Sequence, residues 1–199
     1  MAEQFVRQIG YTEMFEWQTI PESAYGLFVQ FSKEEPEKVE PYHDKDGVLI
    51  GVSSVSARCI SDDPEQWDKA YLYNELGDNY LKKERLAVGI KQYDQHNEFS
   101  YISTRPWEHY VNVVNPEYDK KRNYVKRSLR NEWIKVNIGG KVIVKDNGKC
   151  KPGEFCQPYT GMKAKLAGTA KPYEEGKYKF YVINRISENT ITILNNNYG

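Results

Sequence analysis

Tyr11-Thr12-Glu13-Met14-Phe15-Glu16-Trp17 is the stretch from which the fold is read. Tyr11, Glu13, Phe15 and Trp17 fall on one face at a period of two, and Thr12, Met14 and Glu16 on the other, so the stretch predicts a half-buried β-strand. It also holds two carboxyl groups, Glu13 and Glu16, flanked by aromatic and thioether side chains. A carboxyl among large apolar groups loses solvation in its charged form, which makes such a residue a candidate general acid or base. The strand is the first meaning of the pattern and the chemistry the second.

The rest of the chain follows the same pattern. Tyr25 to Phe31 and Val39 to Tyr42 read as strands, and Asp46-Gly47 is a hairpin signal. Val48 to Val55 is an apolar run containing Gly51, and a glycine inside a strand marks a bulge or a close backbone approach. Leu86 to Ile90 reads as a strand, and Lys91 to Trp107 as a long hairpin or inserted loop. Trp133 to Ile138 and Val142 to Val144 read as two strands around Gly139-Gly140, and Tyr178 to Ile183 with Thr190 to Leu194 as a closing hairpin. Asp62-Asp63-Pro64-Glu65-Gln66-Trp67 predicts a helix start, with proline near N1 and acid in the first turn, running through Ala70 to Leu76. Together these predict a mainly β, antiparallel, barrel-like domain with hairpins and at most one or two short helices. Residues 1–10 are expected to form an N-terminal arm and residues 11–199 the domain.

Composition narrows the function. Lys and Arg number 28 against 28 Asp and Glu, a balance that argues against a nucleic-acid partner held by phosphate contacts. The 16 Tyr, 4 Trp and 7 Phe favour strands and also subunit interfaces. No apolar run approaches ~20 residues, so no membrane-spanning helix is expected. Met1-Ala2-Glu3-Gln4 lacks the basic-then-apolar pattern of a secretory signal. Cys59 is solitary, while Cys150 and Cys156 are spaced to close a small loop; in a reducing compartment free thiols are expected. There is no Gly-rich phosphate loop, no His-Glu-x-x-His and no paired Cys-x-x-Cys, and His43, His96 and His109 lack ligand spacing, so neither metal nor cofactor is expected. Ser53-Ser54 lacks the Gly-x-Ser-x-Gly elbow of a serine nucleophile. The basic run Lys120, Lys121, Arg122, Lys126, Arg127 and Arg130 reads as solvated surface.

Several blocks follow one another along the chain. They are Tyr11 to Trp17; Val48 to Ser53 after an Asp-Gly turn; Trp67 with Tyr71-Leu72 and Glu75-Leu76-Gly77; Asn115 to Asp119; Glu132-Trp133; Gly140 to Cys150; and Arg185 to Leu194. In order and spacing they resemble the phage peptidase G2 domain, the autoproteolytic intramolecular-chaperone domain at the C-terminus of tail appendage and tail fibre proteins. The resemblance spans Tyr11 to Leu194.

The resemblance implies a site. The family's first motif usually reads Asp-Tyr-Ala-Glu-Met-Phe-Glu-Trp, and the chain is thought to cut itself just before the Asp, with that Asp and the Glu three residues on taking part. Glu13 stands at the Glu position and is the candidate catalytic residue; Ile9 and Gly10 flank the implied cleavage site. The Asp position is Gly10. A two-carboxyl scheme needs one group to activate the attacker and one to protonate the leaving amine, and glycine supplies neither. The implied role is therefore a structural virion protein, a capsid, tail or fibre component, that has lost self-cleavage. Its expected partners are copies of itself, as a homotrimer, and other virion proteins, with no membrane and no nucleic acid. It would be made in the host cytoplasm and reside in the virion. Beginning at Met1, nine residues before the bond, the chain is expected to carry no upstream fibre to release. The alternative is an active intramolecular chaperone that assists trimer assembly and cleaves itself off near Ile9–Gly10, with Glu13 helped by Asp146, Asp44 or Asp46. Restoring the acid, Gly10→Asp, is expected to recover cutting if Glu13 and the fold are intact.

The arm is too short to fold alone, and Phe5, Val6 and Ile9 are expected to dock it on a neighbouring copy. Deleting residues 1–9 should weaken assembly and leave the β domain folded; light scattering that reads a monomer before and after deletion, at tens of micromolar, would exclude this.

Overall fold

The computed structural model describes residues 10–65, 67, 70–86, 89–93, 99–103, 107–119, 121, 123–161 and 163–195. It divides into two units, Met1–Pro64 with Val125–Gly199, and Glu65–Tyr124. The first contains β1 (Gly10–Trp17), β2 (Phe28–Phe31), β3 (Lys38–Pro41), β4 (Leu49–Ser54) and β5 (Cys59–Ser61). After the second unit it resumes with β10 (Trp133–Lys145), β11 (Phe155–Pro158), β12 (Ala170–Pro172), β13 (Phe180–Ser187) and β14 (Thr190–Asn195). Short 3-10 turns stand at Arg127–Leu129 and Ala164–Leu166, and Ala70 also has 3-10 conformation. The mainly β class expected from the sequence is the class observed.

The strands of the first unit form one sheet in the order β12-β11-β13-β14-β10-β4-β2-β3-β1-β5. Because β1 also pairs with β10, strands β10, β4, β2, β3 and β1 close into a hydrogen-bonded ring. The sheet is mixed: β1 runs parallel to β3 and β5, and the other pairings are antiparallel.

β10 joins the ring to the rest of the sheet. Its first part, Lys135 to Asn137, lies between β1 and β4; its last part, Gly140 to Lys145, pairs with β14. Two strands around Gly139-Gly140 were expected, whereas one thirteen-residue strand runs through. The glycines bend the strand without reversing it. The β1 register slips between Tyr11 and Thr12, which face Gly139 and Asn137, so Ile138 is the extra, bulged residue. Gly140 has φ +92°, a backbone open to glycine and strained for other residues.

Side-chain alternation then feeds two cores. Trp17, Val29, Val39, Ile50, Ile134 and Val136, one or more from each ring strand, make the first. The second gathers Phe28, Val52, Val142, Val144, Val182, Ile191 and Ile193, with the Phe28 and Phe180 rings 5.0 Å apart. Phe28 and Val29 are neighbours that point to different cores, which is why β2 is buried on both faces. β1 is likewise buried from both sides at Thr12, Met14 and Trp17, where a half-buried strand was expected.

In the second unit β6 (Leu81–Leu86) pairs with β9 (Trp107–Asn112), and β7 (Gly89–Tyr93) with β8 (Phe99–Ser103). Leu86 thus closes one strand and Gly89 opens the next, with residues 87 and 88 outside the described set. The helix expected through Ala70 to Leu76 is not formed there. Tyr71 bridges to Val114 and Tyr73 to Asn79. The Asn74 side-chain oxygen accepts from Leu76 N (2.9 Å) and Asp78 N (2.8 Å), and Gly77 takes φ +83°. A side-chain-stabilised turn outcompetes the helix that the acidic N-terminus suggested.

The ring closes because β4 comes unusually near β10 at Gly51. A Cβ there would lie 2.1 Å from the Asn137 carbonyl oxygen, whereas one on Gly139 would meet nothing within 4 Å. Gly51→Ala is expected to lower stability by about 3 kcal/mol in urea unfolding, and Gly139→Ala by less than about 1 kcal/mol.

Candidate functional site

The start of β1 is the candidate site. Gly10 lies across from Gly140, and Gly140 in turn across from Asn195 of β14. Thr12 is fully buried, and its hydroxyl donates to the Cys59 carbonyl of β5 at 3.0 Å. Glu13, half-buried, lies opposite Val136 on one side and Ser61 on the other. It makes no ion pair or side-chain hydrogen bond among the described residues. Ile9 lies outside the described residues, as do Phe5 and Val6.

Glu16 is spoken for by structure. It lies 3.4 Å from Lys38 Nζ, which also pairs with Glu35 at 2.7 Å. The bond to Glu35 raises the Lys38 amine, and the Lys38 ammonium holds the Glu35 carboxyl below its ordinary range.

The structure does not gather the other candidate carboxyls around Glu13. Asp146 follows the far end of β10, six residues past Gly140, about 20 Å along an extended strand. Its side chain is fully buried, and its two oxygens take the Arg185 guanidinium at 2.8 and 3.2 Å. Cys150 N donates to the same carboxylate at 3.1 Å. Arg185 extends the network to the carbonyls of Ser187 (3.1 Å), Glu188 (2.6 Å) and Cys150. The carboxylate partner raises the Arg185 pKa further. Asp44 binds Lys33 and accepts from Asp46 N at 2.9 Å, and both bonds hold its carboxyl low, the lysine most.

The remaining residues have structural duties. The Ser53 hydroxyl is buried, accepting from Leu27 N at 2.9 Å and facing Leu27 O at 3.2 Å. Cys150 and Cys156 are buried free thiols, and the neighbouring Cys150 together with burial pushes the Cys156 thiol far up; Cys59 is exposed. No metal-binding group of acids, cysteines or histidines occurs among the described residues. His43 contacts the Pro41 carbonyl at 3.0 Å, His109 sits in β9, and His96 is outside the described residues. The basic run is less solvated than expected. Arg127 pairs with Asp62, and the guanidiniums of Arg127 and Arg130 lie 4.3 and 5.1 Å from the Trp133 ring centre. Lys120 and Arg122 lie outside the described residues.

Sequence reasoning missed Asn137 and Asn195. The Asn137 amide donates to Gly139 O at 3.1 Å, while Asn195 Nδ2 donates to Asn137 O (2.8 Å) and Oδ1 (3.1 Å). Both are buried in β-rich runs, and their one sequence signal is an amide where the strand pattern calls for an apolar side chain.

The chain is similar to known phage proteins. The family model described as "Peptidase_G2, IMC autoproteolytic cleavage domain" matches residues 3–191. The preneck appendage protein of Bacillus phage PZA is 28% identical over 138 residues, 69% of this chain and 14% of that protein, so the chain spans about a seventh of that relative. The crystal structure of the pre-mature bacteriophage phi29 gene product 12 is similar over 93% of this chain and 21% of that one, with a TM-score of 0.62 at 22% identity. The C-terminal fragment of the same gene product is similar over 92% of this chain and 98% of that one, with a TM-score of 0.60.

The buried Asp146–Arg185 pair should matter for stability more than any exposed pair. Asp146→Asn is expected to cost about 2–3 kcal/mol in urea unfolding, because it leaves a guanidinium and an amide N–H short of a charged acceptor. Glu174→Ala, which removes the exposed partner of Lys171, should cost less than about 0.5 kcal/mol.

Proposed function

The chain belongs to the peptidase G2 family, and from that premise we propose that it is a structural component of a phage virion, of the tail-appendage kind, whose G2 domain does not cut itself. The observation that carries the reading is Gly10. The family pattern places an acid there, and the residue present is a glycine fixed in β1 against Gly140. Glu13 is retained, but no ion pair or side-chain hydrogen bond couples it to another group among the described residues. Asp146, one of the alternative partners, is committed to Arg185, and Asp44 to Lys33. One carboxyl cannot serve as both base and acid in the same step, and losing one member of a cooperating pair removes most of the rate.

With cleavage gone, the useful property of such a domain is association. Exposed aromatic and apolar residues of the first unit, Tyr11, Ile60, Phe155 and Tyr181 among them, offer contact area, and the two tyrosines add a polar tip. Copies of the chain with no net charge repel each other little at long range. We read the partners as further copies, in a closed trimer, and neighbouring virion proteins. The second reading, an active intramolecular chaperone that frees itself at Ile9–Gly10, is favoured by the autoproteolytic description of the family and by the presence of Glu13.

Native mass spectrometry separates the two. The proposal expects an intact 23.2 kDa chain in an oligomer after prolonged incubation. Loss of residues 1–9, with Gly10 as the new N-terminus, would establish the second reading.

A further inference from the structure

Gly10 is occupied space rather than free space. A Cβ built on it would lie 1.8 Å from Asn137 Nδ2, 3.1 Å from Asn137 Cγ and 2.8 Å from the Gly139 carbonyl oxygen. These separations are far inside van der Waals contact, so even alanine cannot enter while Asn137 keeps its place. Asn137 is held firmly. It is 2% exposed, its amide donates to Gly139 O, and both its carbonyls accept from Asn195, itself 0% exposed. Its backbone is pinned as well, by Thr12 of β1 on one side and Val52 of β4 on the other, with Gly51 packed against its carbonyl. The bulge at Ile138 is what turns the Asn137 amide back toward Gly139 and across the position-10 backbone.

We propose that Asn137, seated by Asn195, determines what position 10 can carry: the amide pair fills the space that an acidic side chain would need at the implied cleavage site. Gly10 and Asn137 are a matched set. A Gly10→Asp reversion alone does not rebuild a carboxyl site, because the acid would have to displace a buried, doubly bonded amide. Asn195 also carries a buried Oδ1 with no hydrogen-bond partner, so the amide cluster is polar at its centre without being fully satisfied. Such a centre suits an amide, which donates to the Gly139 carbonyl, and suits an apolar side chain poorly. The functional meaning of the pair rests on the non-cleaving reading above; its geometry stands without it.

The test is a double-mutant cycle on the full chain with wild type, Gly10→Ala, Asn137→Ala and the double variant, read by thermal unfolding. Asn137→Ala removes the Cγ and Nδ2, the nearest side-chain obstruction at position 10, and leaves the Gly139 carbonyl oxygen at 2.8 Å, so the relief it gives is partial. Gly10→Ala is expected to lower the unfolding midpoint by about 5 °C or more, or to abolish soluble expression. The double variant should melt at least half that loss above the value that adding the two single losses would give. If Gly10→Ala is insoluble, the double variant should still be soluble. A Gly10→Ala midpoint equal to wild type, strictly additive losses, or insolubility of the double variant when Asn137→Ala is soluble would each overturn the proposal. N-terminal sequencing of the same wild-type sample keeps the readings apart. Cleavage before Gly10 refutes the non-cleaving function whatever the cycle gives, and an additive cycle on an uncut wild type refutes the Asn137 assignment alone.

Discussion

One strand serving three partners is the constraint on which the first unit depends. β10 binds β1 and β4 with its first half and β14 with its second. A strand has two edges, so a third partner requires a change of neighbours partway along, and a flat strand cannot make that change. Gly139, Gly140 and the Ile138 bulge provide the bend. Once it is made, Ile134 and Val136 fall into one apolar core and Val142 and Val144 into the other. The two cores share a backbone and are not joined by a linker.

Ring closure has a second requirement, that backbones meet where side chains would ordinarily stand. At Gly51 the β4 backbone reaches the Asn137 carbonyl, and at Gly10 the β1 backbone reaches the Asn137 amide. Asn137 is therefore the residue around which three strands are fitted, with its backbone against β4 and its side chain against β1. A long apolar residue there would fill the space without bonding the Gly139 carbonyl, and buried carbonyls left unpaired are costly. An amide presents donor and acceptor in one short group and answers both needs.

At the opposite end of β10 the polar constraint is ionic. Asp146 and Arg185 tie the turn after β10 to the turn between β13 and β14, and the Cys150 amide joins them. A fully buried carboxylate is tolerated because charged and neutral donors meet its oxygens and because the arginine keeps a quarter of its side chain in water. That commitment also explains why the most acidic feature of the conspicuous Gly140 to Cys150 block belongs to the scaffold and not to the chemistry of β1.

The sequence by itself determined the class of fold, because alternation in Tyr11 to Trp17 and in Thr190 to Leu194 is a local property of the strand and survives without knowledge of partners. It also marked Gly51 as a bulge or a close backbone approach, the two uses of glycine inside an apolar strand. What it did not determine were the properties that depend on distant chain segments. Gly139-Gly140 reads as a break until β1 and β14 are seen holding the same strand on both sides of it. Ala70 to Leu76 reads as helix until Val114 arrives to pair with Tyr71. Asn137 and Asn195 lie 58 residues apart, and nothing local to either announces the other. Periodicity reports which face of a strand is buried; only the tertiary structure decides what stands opposite that face, and whether the space beside a glycine is empty or already filled.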